Sequence, residues 1–557
     1  MRIAAPALLV IAVLVLFTGF SSVGFLDERE ARHLAVAANL RQSAERLTPL
    51  LGSDPVLERP LLAYALDLAV AGIPNDDPTI PRAVRGLAAL ALVAVTGWLG
   101  GRHFGARSGW LAALVLLTSL GTPVAARTDG PQLLGSLFGW LACLSFMQAL
   151  FGDERRRGWA LTAAWTSIGF ALLAAGPLPA LWPIGGLALY LGLVRQPHGW
   201  RVLAPAWGAL IVIGMALPWY GAMIDLHRGA FAARMAWFPY AGPSHASLLG
   251  APVVAASLLL AAAFPWCALL PGALMHADAW WRSEARRGHP RGPHSTGPIS
   301  ADLTADPAMV LIAVEEQMRF ESQSHLIIAW LAAAAATLVL YPQPPVSAAL
   351  AALPAVALLC GRLLDHALER PERVRAAIAG AGNTLALVGI PFAIFVAMMA
   401  SRSPAASHPV RLVAILLLVT SAAPFLAMFA GRPRVSALLF AVPVMLGAPL
   451  VACSLLPAYE DSMCTRRIAA AMISDSPASA AVVLPEAPPS SLRLYLDRTL
   501  VVTDSLAREL PRERASDGHT YLMFRPAREE EVIRVAGAPL EVLMRTPELV
   551  LARVRVP

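Results

Sequence analysis

Acids and arginines fall close together at four places in this sequence. Asp27-Glu28 follows the first apolar run, Glu58-Arg59-Pro60 opens a short apolar stretch, Arg127-Thr128-Asp129 sits in a very short turn, and His227, Arg228, Arg234 and His245 follow the seventh apolar run. The first three have plain structural readings. Asp27 and Asp129 are favoured helix caps, acids suit a helix start, and Glu58-Arg59 reads as a surface ion pair. Their chemistry becomes specific if they share one face of a membrane. A carboxylate there can take the proton of an attacking acceptor group, while guanidinium groups hold an anionic phosphate that leaves. All 44 basic residues are arginine and none is lysine. Schiff-base chemistry and a P-loop lysine are therefore excluded, and any anion must be held by arginine.

The elements that position these residues are membrane helices. Of 557 residues 57% are hydrophobic and 15% charged, with a mean hydropathy of +0.60. Soluble domains run nearer 45–50% apolar and about a quarter charged, and disordered chains are more polar still. The apolar runs number thirteen, at about 3–20, 83–100, 109–126, 131–151, 159–175, 177–194, 201–222, 248–275, 325–341, 346–365, 377–400, 409–430 and 435–456. The first reads as an uncleaved helix. Gly176-Pro177 reads as a tight turn between two helices.

Short-loop arginines orient the chain. With the N-terminus in the cytoplasm, the inner loops hold Arg102 and Arg107, Arg155 to Arg157, Arg195 and Arg201, Arg282 to Arg291, Arg362 to Arg375, and Arg432 with Arg434. The short outer loops hold few. The net charge of +7 thus serves membrane orientation and does not point to nucleic acid.

This reading assigns 1–456 to a transmembrane domain. Its first outer loop, 21–82, carries two interfacial helices at 27–47 and 61–73, and Asp67 is the one acid in the second of these apolar stretches. Segment 276–324 is a cytoplasmic loop whose middle, 288–308, is expected to be disordered, with His289 and His294 solvated. Residues 457–557 form an outer α/β domain with strands at 480–484 and 500–503 and helices at 462–473 and 504–510. Cys453 and Cys464 are the one disulfide candidate, and no cysteine spacing fits a metal site. The carboxylates leave room for a divalent ion with water, but no His/Asp spacing requires one.

The chain resembles the polytopic GT-C glycosyltransferases, in the aminoarabinose transferase / protein O-mannosyltransferase group. The resemblance rests on LDEREARHLAVAANL (26–40), LERPLLAYALDLA (57–69), PRAVRGLAALALVAVTGWLGGRHFGARSGWLAALVLLTS (81–119) and ARTDGPQLLGSL (126–137). It continues through LLAAGPLPALWPIGGLALY (172–190), MALPWY (215–220), ALPAVALLCGRLLD (352–365) and SSLRLYLDRTLVVTD (490–504). It implies a GT-C fold of about thirteen transmembrane helices with a small C-terminal periplasmic α/β domain, in a bacterial inner membrane. It also implies an inverting transferase taking a sugar from a polyprenyl-phosphate carrier, such as undecaprenyl phosphate, to a lipid A-like lipid, a protein or a glycan of the cell envelope.

Carried over by position, Asp27 matches the catalytic carboxylate, Glu28 its neighbour and Asp129 the second carboxylate. Glu58 and Arg59 match the acid–base pair near the carrier phosphate, and Arg234 is the candidate for the arginine after the seventh span. The chain departs from the family at Ala175-Gly176-Pro177, where a lysine is expected. It departs again at Ala31 and His33, where a tyrosine is expected, and at YPQPPVSAAL (341–350). Two other classes remain: an altered or inactive homologue acting in binding or assembly, and a lipid-sugar transporter. The latter is expected to carry mid-membrane charges and internal repeats, whereas the spans here are nearly free of charge at their centres and show no repeat.

Overall fold

The structure is a computed structural model of the whole chain. It describes residues 4–43, 47–52, 54–71, 77–194, 203, 206–235, 250–285, 307–340, 346–400, 407–496, 499–503, 506, 513 and 515–555, with side chains left out at 4, 27–28, 206, 232–235, 278–285, 307–322 and 399–400. Helices dominate up to residue 475: α1 (Ala4–Ala12), α2 (Arg32–Gln42), α3 (Thr79–Phe104), α4 (Ala106–Leu117), α5 (Gly121–Thr128), α6 (Gly130–Phe151), α7 (Arg157–Ala175), α8 (Pro177–Leu193) and α9 (Ala206–Met235). They continue as α10 (Gly250–Ala262), α11 (Leu270–Ala285), α12 (Pro307–Leu340), α13 (Leu353–Glu369), α14 (Pro371–Ala400), α15 (Ser407–Phe429), α16 (Pro433–Leu439), α17 (Val442–Leu450) and α18 (Arg466–Asp475).

The local sequence accounts for the boundaries that matter. Asp77 accepts hydrogen bonds from the backbone and hydroxyl of Thr79 at the start of α3, and Gly105, at φ +98°, ends it. Thr118 and Ser119 turn their hydroxyls back onto the carbonyls of Leu114 and Val115, which disrupts a helix locally. The chain bends there by 59° between α4 and α5. Gly176 at φ +90° and Pro177 make the expected turn between α7 and α8. A Cβ at Gly109 would lie 2.4 Å from the Gly97 carbonyl oxygen, so α3 and α4 touch backbone to backbone, as small residues permit between membrane helices.

Eight helices among the described residues are long and apolar enough to cross a bilayer, or up to nine with α4 and α5 taken as one bent span. The expectation of about thirteen continuous spans is corrected accordingly. Most of the remaining runs are helical but shorter or interrupted. The first run is α1 continued by a π-helical turn at Val13–Phe17, the sixth is the 17-residue α8, and the eighth breaks after the 13-residue α10. The tenth opens as a 3-10 turn, Val346–Ala351, before α13. At 1.5 Å per residue, 13 residues reach about 20 Å, short of a hydrocarbon core of about 30 Å. Hydropathy counts apolar length and does not register a broken backbone.

The tail folds into a five-stranded sheet with β1 (Val482–Leu484), β2 (Leu500–Val502), β3 (Thr520–Phe524), β4 (Glu541–Arg545) and β5 (Val550–Val554), in the order β2-β1-β3-β5-β4. β1 runs parallel to β2 and β3, and β5 antiparallel to β3 and β4. Helix α19 (Glu529–Ala536) joins β3 to β4. The strands expected at 480–484 and 500–503 are β1 and β2, and the helix expected at 462–473 is α18, which starts at Arg466 after extended backbone at Cys464; of 504–510, only Leu506 lies among the described residues.

Strand alternation gives the sheet two apolar faces. Val483, Leu522 and Phe524 pack with α19, while Val482, Leu484, Tyr521 and Met523 pack with α18 and with Phe25, Ala31 and Leu34 of the first outer loop. The outer domain is thereby docked on that loop. The five cysteines are free, so Cys453 and Cys464 form no disulfide. Residues 288–306, with His289 and His294, lie outside the described residues, and α12 takes up the chain at Pro307.

Candidate functional site

The loop 21–78, the start of α3, the end of α5 and the start of α6 come together beside the C-terminal domain. Asp129 occupies the turn between α5 and α6 and is fully buried. Its Oδ1 accepts from the Gln132 backbone N–H at 3.1 Å, capping α6. Its Oδ2 accepts from the Ser347 hydroxyl at 2.7 Å and from Arg29 Nη1 at 3.3 Å. Burial opposes ionisation of Asp129, but Arg59, His33, the Ser347 hydroxyl and Arg29 outweigh it and hold the carboxyl below its ordinary range. The capping role expected of this aspartate is real and uses one oxygen. The other faces a cation and a hydroxyl.

A second, larger charge network lies alongside. Glu30 is completely buried and takes Arg82 in a two-pronged contact, Nε to Oε1 at 2.8 Å and Nη2 to Oε2 at 2.7 Å. Arg85 bridges Glu30 to Asp67, with Nη1 3.0 Å from Glu30 Oε1 and Nε 3.0 Å from Asp67 Oδ1. Arg82 also donates to the Val23 and Gly24 carbonyls, and Arg127 donates to those of Val15, Pro123 and Thr18. Apart from Pro123 in α5, these carbonyls lie in or just beyond the end of the first helix, where arginine donors can satisfy them. These arginines lie at the helix ends that face the C-terminal domain.

The sequence-named residues divide as follows. The backbone of Asp27 and Glu28 opens the short π-helical turn Asp27–Ala31 directly before α2; their side chains lie outside the described residues. Arg59 is buried, and its charge is the strongest electrostatic support for ionised Asp129. Glu58 pairs with Arg32 of α2 at 3.0 Å, both half-exposed. Arg234 lies on the last turn of α9, its side chain and all of His245 outside the described residues. His227 Nε2 stands 3.0 Å from the Thr48 hydroxyl, and α9 kinks at Arg228, whose φ of +43° is strained for a non-glycine residue. Arg32, Glu58, Asp54, His227 and Ala230 border a half-open cavity of about 430 Å³.

Sequence reading passed over Arg29, Glu30, Arg82, Arg85 and Ser347. Two signals were there to find them. Arg82 and Arg85, three residues apart at the outer end of an apolar helix, share one face, and Asp67 stood alone among apolar residues. His33, near the position where a tyrosine is expected, stands edge to face with Tyr64 at 5.9 Å, and burial pushes its imidazole down to about 3. Ala175 is buried where α7 meets α6, and a Cβ on Gly135 would fall 2.5 Å from its own Cβ. Among the described residues, no group of three or more His, Cys, Asp or Glu is placed to hold a metal ion.

No family model matches the chain, and no curated protein sequence matches it. Solved structures that resemble it include ArnT from Cupriavidus metallidurans in the apo state, and the same protein bound to undecaprenyl phosphate. Each shares 16% identity with this chain at a TM-score of 0.74, covering 99% of this chain and 97% of the other. A likeness of that extent, at that identity, establishes architecture: the chain is a polytopic α-helical protein with the GT-C-like fold of ArnT, carrying a non-membrane C-terminal domain.

Proposed function

We propose that the protein is a membrane glycosyltransferase that moves a sugar from a polyprenyl-phosphate carrier to an acceptor at the periplasmic face of a bacterial inner membrane. One observation carries the reading. Buried Asp129 sits beside Arg29 and within the field of Arg59, against the turn that bears Asp27 and Glu28, in a chain with the fold of a protein solved with undecaprenyl phosphate. In the reaction, Asp27 accepts the proton of an acceptor hydroxyl or phosphate, with Glu28 beside it and Asp129 orienting the group. The acceptor oxygen forms a bond to the anomeric carbon from the face opposite the carrier. The carrier phosphate departs with the bonding electrons and is held by Arg59 and Arg234, with Glu58 keeping the cation pattern in register.

The orientation, with the N-terminus in the cytoplasm and residues 457–557 in the periplasm, belongs to the same proposal. It is supported by arginine placement in the short loops. The acceptor class is a lipid A-like lipid, a protein or a glycan. The test is transfer by purified protein from a radiolabelled polyprenyl-phosphate sugar. Asp27→Asn is expected to lower kcat by about 10²–10⁴-fold while undecaprenyl phosphate still binds; wild-type kcat in that variant removes Asp27 from the mechanism.

A second reading, a homologue kept for binding or assembly, is favoured by one feature. The expected lysine position is Ala175, packed against Gly135 with no cation in its place. That reading stands if the wild-type protein binds undecaprenyl phosphate yet transfers no sugar in the same assay.

A further inference from the structure

The segment Gly24–Leu26, which leads into the Asp27–Ala31 turn, belongs to neither helix nor strand. Such a segment has no internal ladder, so its geometry is set by whatever its backbone groups find elsewhere. Leu26 donates its N–H to Glu30 Oε2 at 3.1 Å. The other two N–H groups are met from the outer domain. Gly24 N–H donates to Glu460 Oε1 at 3.0 Å, and Phe25 N–H donates to Tyr495 Oη at 2.7 Å, across sequence separations of 436 and 470 residues.

The attachment is shaped for this purpose. Arg466 Nη2 holds the same Glu460 oxygen at 2.6 Å. The Phe25 ring is fully buried, 5.7 Å from the Tyr495 ring, in the core that spans loop and sheet. A Cβ at Gly24 would lie 2.6 Å from Tyr495 Oη and 2.8 Å from Cys464 Sγ, so glycine is what allows this approach.

We infer that Tyr495 and Glu460 are positioning residues, through which the outer domain sets the placement of the Asp27-Glu28 turn by holding the backbone of Phe25 and Gly24. This rests on the transfer reading above. The two side chains act on peptide groups two and three residues before Asp27 and do not touch the reacting atoms. Misplacement of a reacting group by about 1 Å can cost about 100-fold in rate, so loss of either bond is read in kcat rather than in donor binding.

The experiment uses full-length protein in nanodiscs, with Tyr495→Phe, Glu460→Ala and Glu460→Gln. Hydrogen exchange over residues 24–31, kcat and KM for a radiolabelled polyprenyl-phosphate sugar, and undecaprenyl phosphate affinity are measured for each. Tyr495→Phe keeps the ring against Phe25 and removes the acceptor. It is expected to speed exchange locally at 24–31 and to lower kcat by roughly tenfold or more, with KM and undecaprenyl phosphate affinity unchanged. Glu460→Ala should behave alike. Glu460→Gln keeps a carbonyl acceptor for Gly24 and should restore most of the rate.

The inference is overturned if exchange at 24–31 stays at the wild-type rate in both Tyr495→Phe and Glu460→Ala. It is equally overturned if exchange accelerates evenly over the sheet and helices, which marks a purely structural role. If the wild-type protein transfers no sugar, the proposed function fails by itself, and local exchange alone then decides whether the outer domain holds the turn.

Discussion

Arg82 grips Glu30 with two nitrogens, at 2.8 and 2.7 Å, and both side chains are closed off from solvent. One residue stands near the outer start of α3 and the other on the turn ahead of α2, so the pair ties the first outer loop to the bundle. Such a pair is costly to desolvate and costlier to break. Arg82→Ala leaves Glu30 with a weakened set of partners and is expected to destabilise by about 3–5 kcal/mol. Glu30→Met with Arg82→Met together should cost less than Arg82→Ala alone. Denaturant unfolding in detergent, compared across the three proteins, checks the ordering.

Acidification should act through Asp129. Its carboxyl is held below its ordinary value of 3.8, so the folded state favours the ionised form. The stability this supplies is complete above the unfolded value and is lost as pH falls through the lower, folded one. Thermal unfolding midpoints should therefore drop as pH falls below about the usual aspartate range. Asp129→Asn should flatten that dependence, and an unaltered slope in the variant would assign the effect elsewhere.

Arg59 is buried and its charge favours ionised Asp129, whereas Glu58 is half-exposed. Arg59→Gln is expected to weaken undecaprenyl phosphate binding, since a hydrogen bond to a charged group contributes about 1.5–3 kcal/mol. Glu58→Gln, which removes a half-exposed pair with Arg32, should alter stability by no more than about 1 kcal/mol. Titration of each variant with undecaprenyl phosphate, beside its unfolding curve, separates the two roles.

Contact between α6 and α7 explains why a cation is absent at residue 175. Gly135→Ala would place a methyl 2.5 Å from the Ala175 Cβ, and overpacking of this kind typically costs about 1–3 kcal/mol. Ala175→Lys should likewise destabilise, and it should not raise transfer above the wild-type rate. Unfolding midpoints and kcat measured together test both statements.

Composition and periodicity determined the class of this protein. Apolar length and arginine placement are local quantities, readable in a window, so a polytopic helical membrane protein with an α/β tail was legible. The turn at Gly176-Pro177 was legible for the same reason, as were β1 at 482–484 and β2 at 500–502. The backbone breaks that leave eight or nine long apolar helices among the described residues, against thirteen apolar runs, were not. Hydroxyls turned back at Thr118 and Ser119 leave no mark on a hydropathy average.

The site divides along the same line. Residue type and position along the chain singled out Asp27, Glu28, Glu58, Arg59, Asp129 and Arg234 as candidates. Partnership was decided only in three dimensions. Ser347 reaches Asp129 across 218 residues and Tyr495 reaches Phe25 across 470. Glu58, adjacent to Arg59 in sequence, pairs instead with Arg32. A charge in a low-dielectric site takes whichever partner the packing brings within about 3 Å, and packing is a property of the whole bundle rather than of any stretch of the chain.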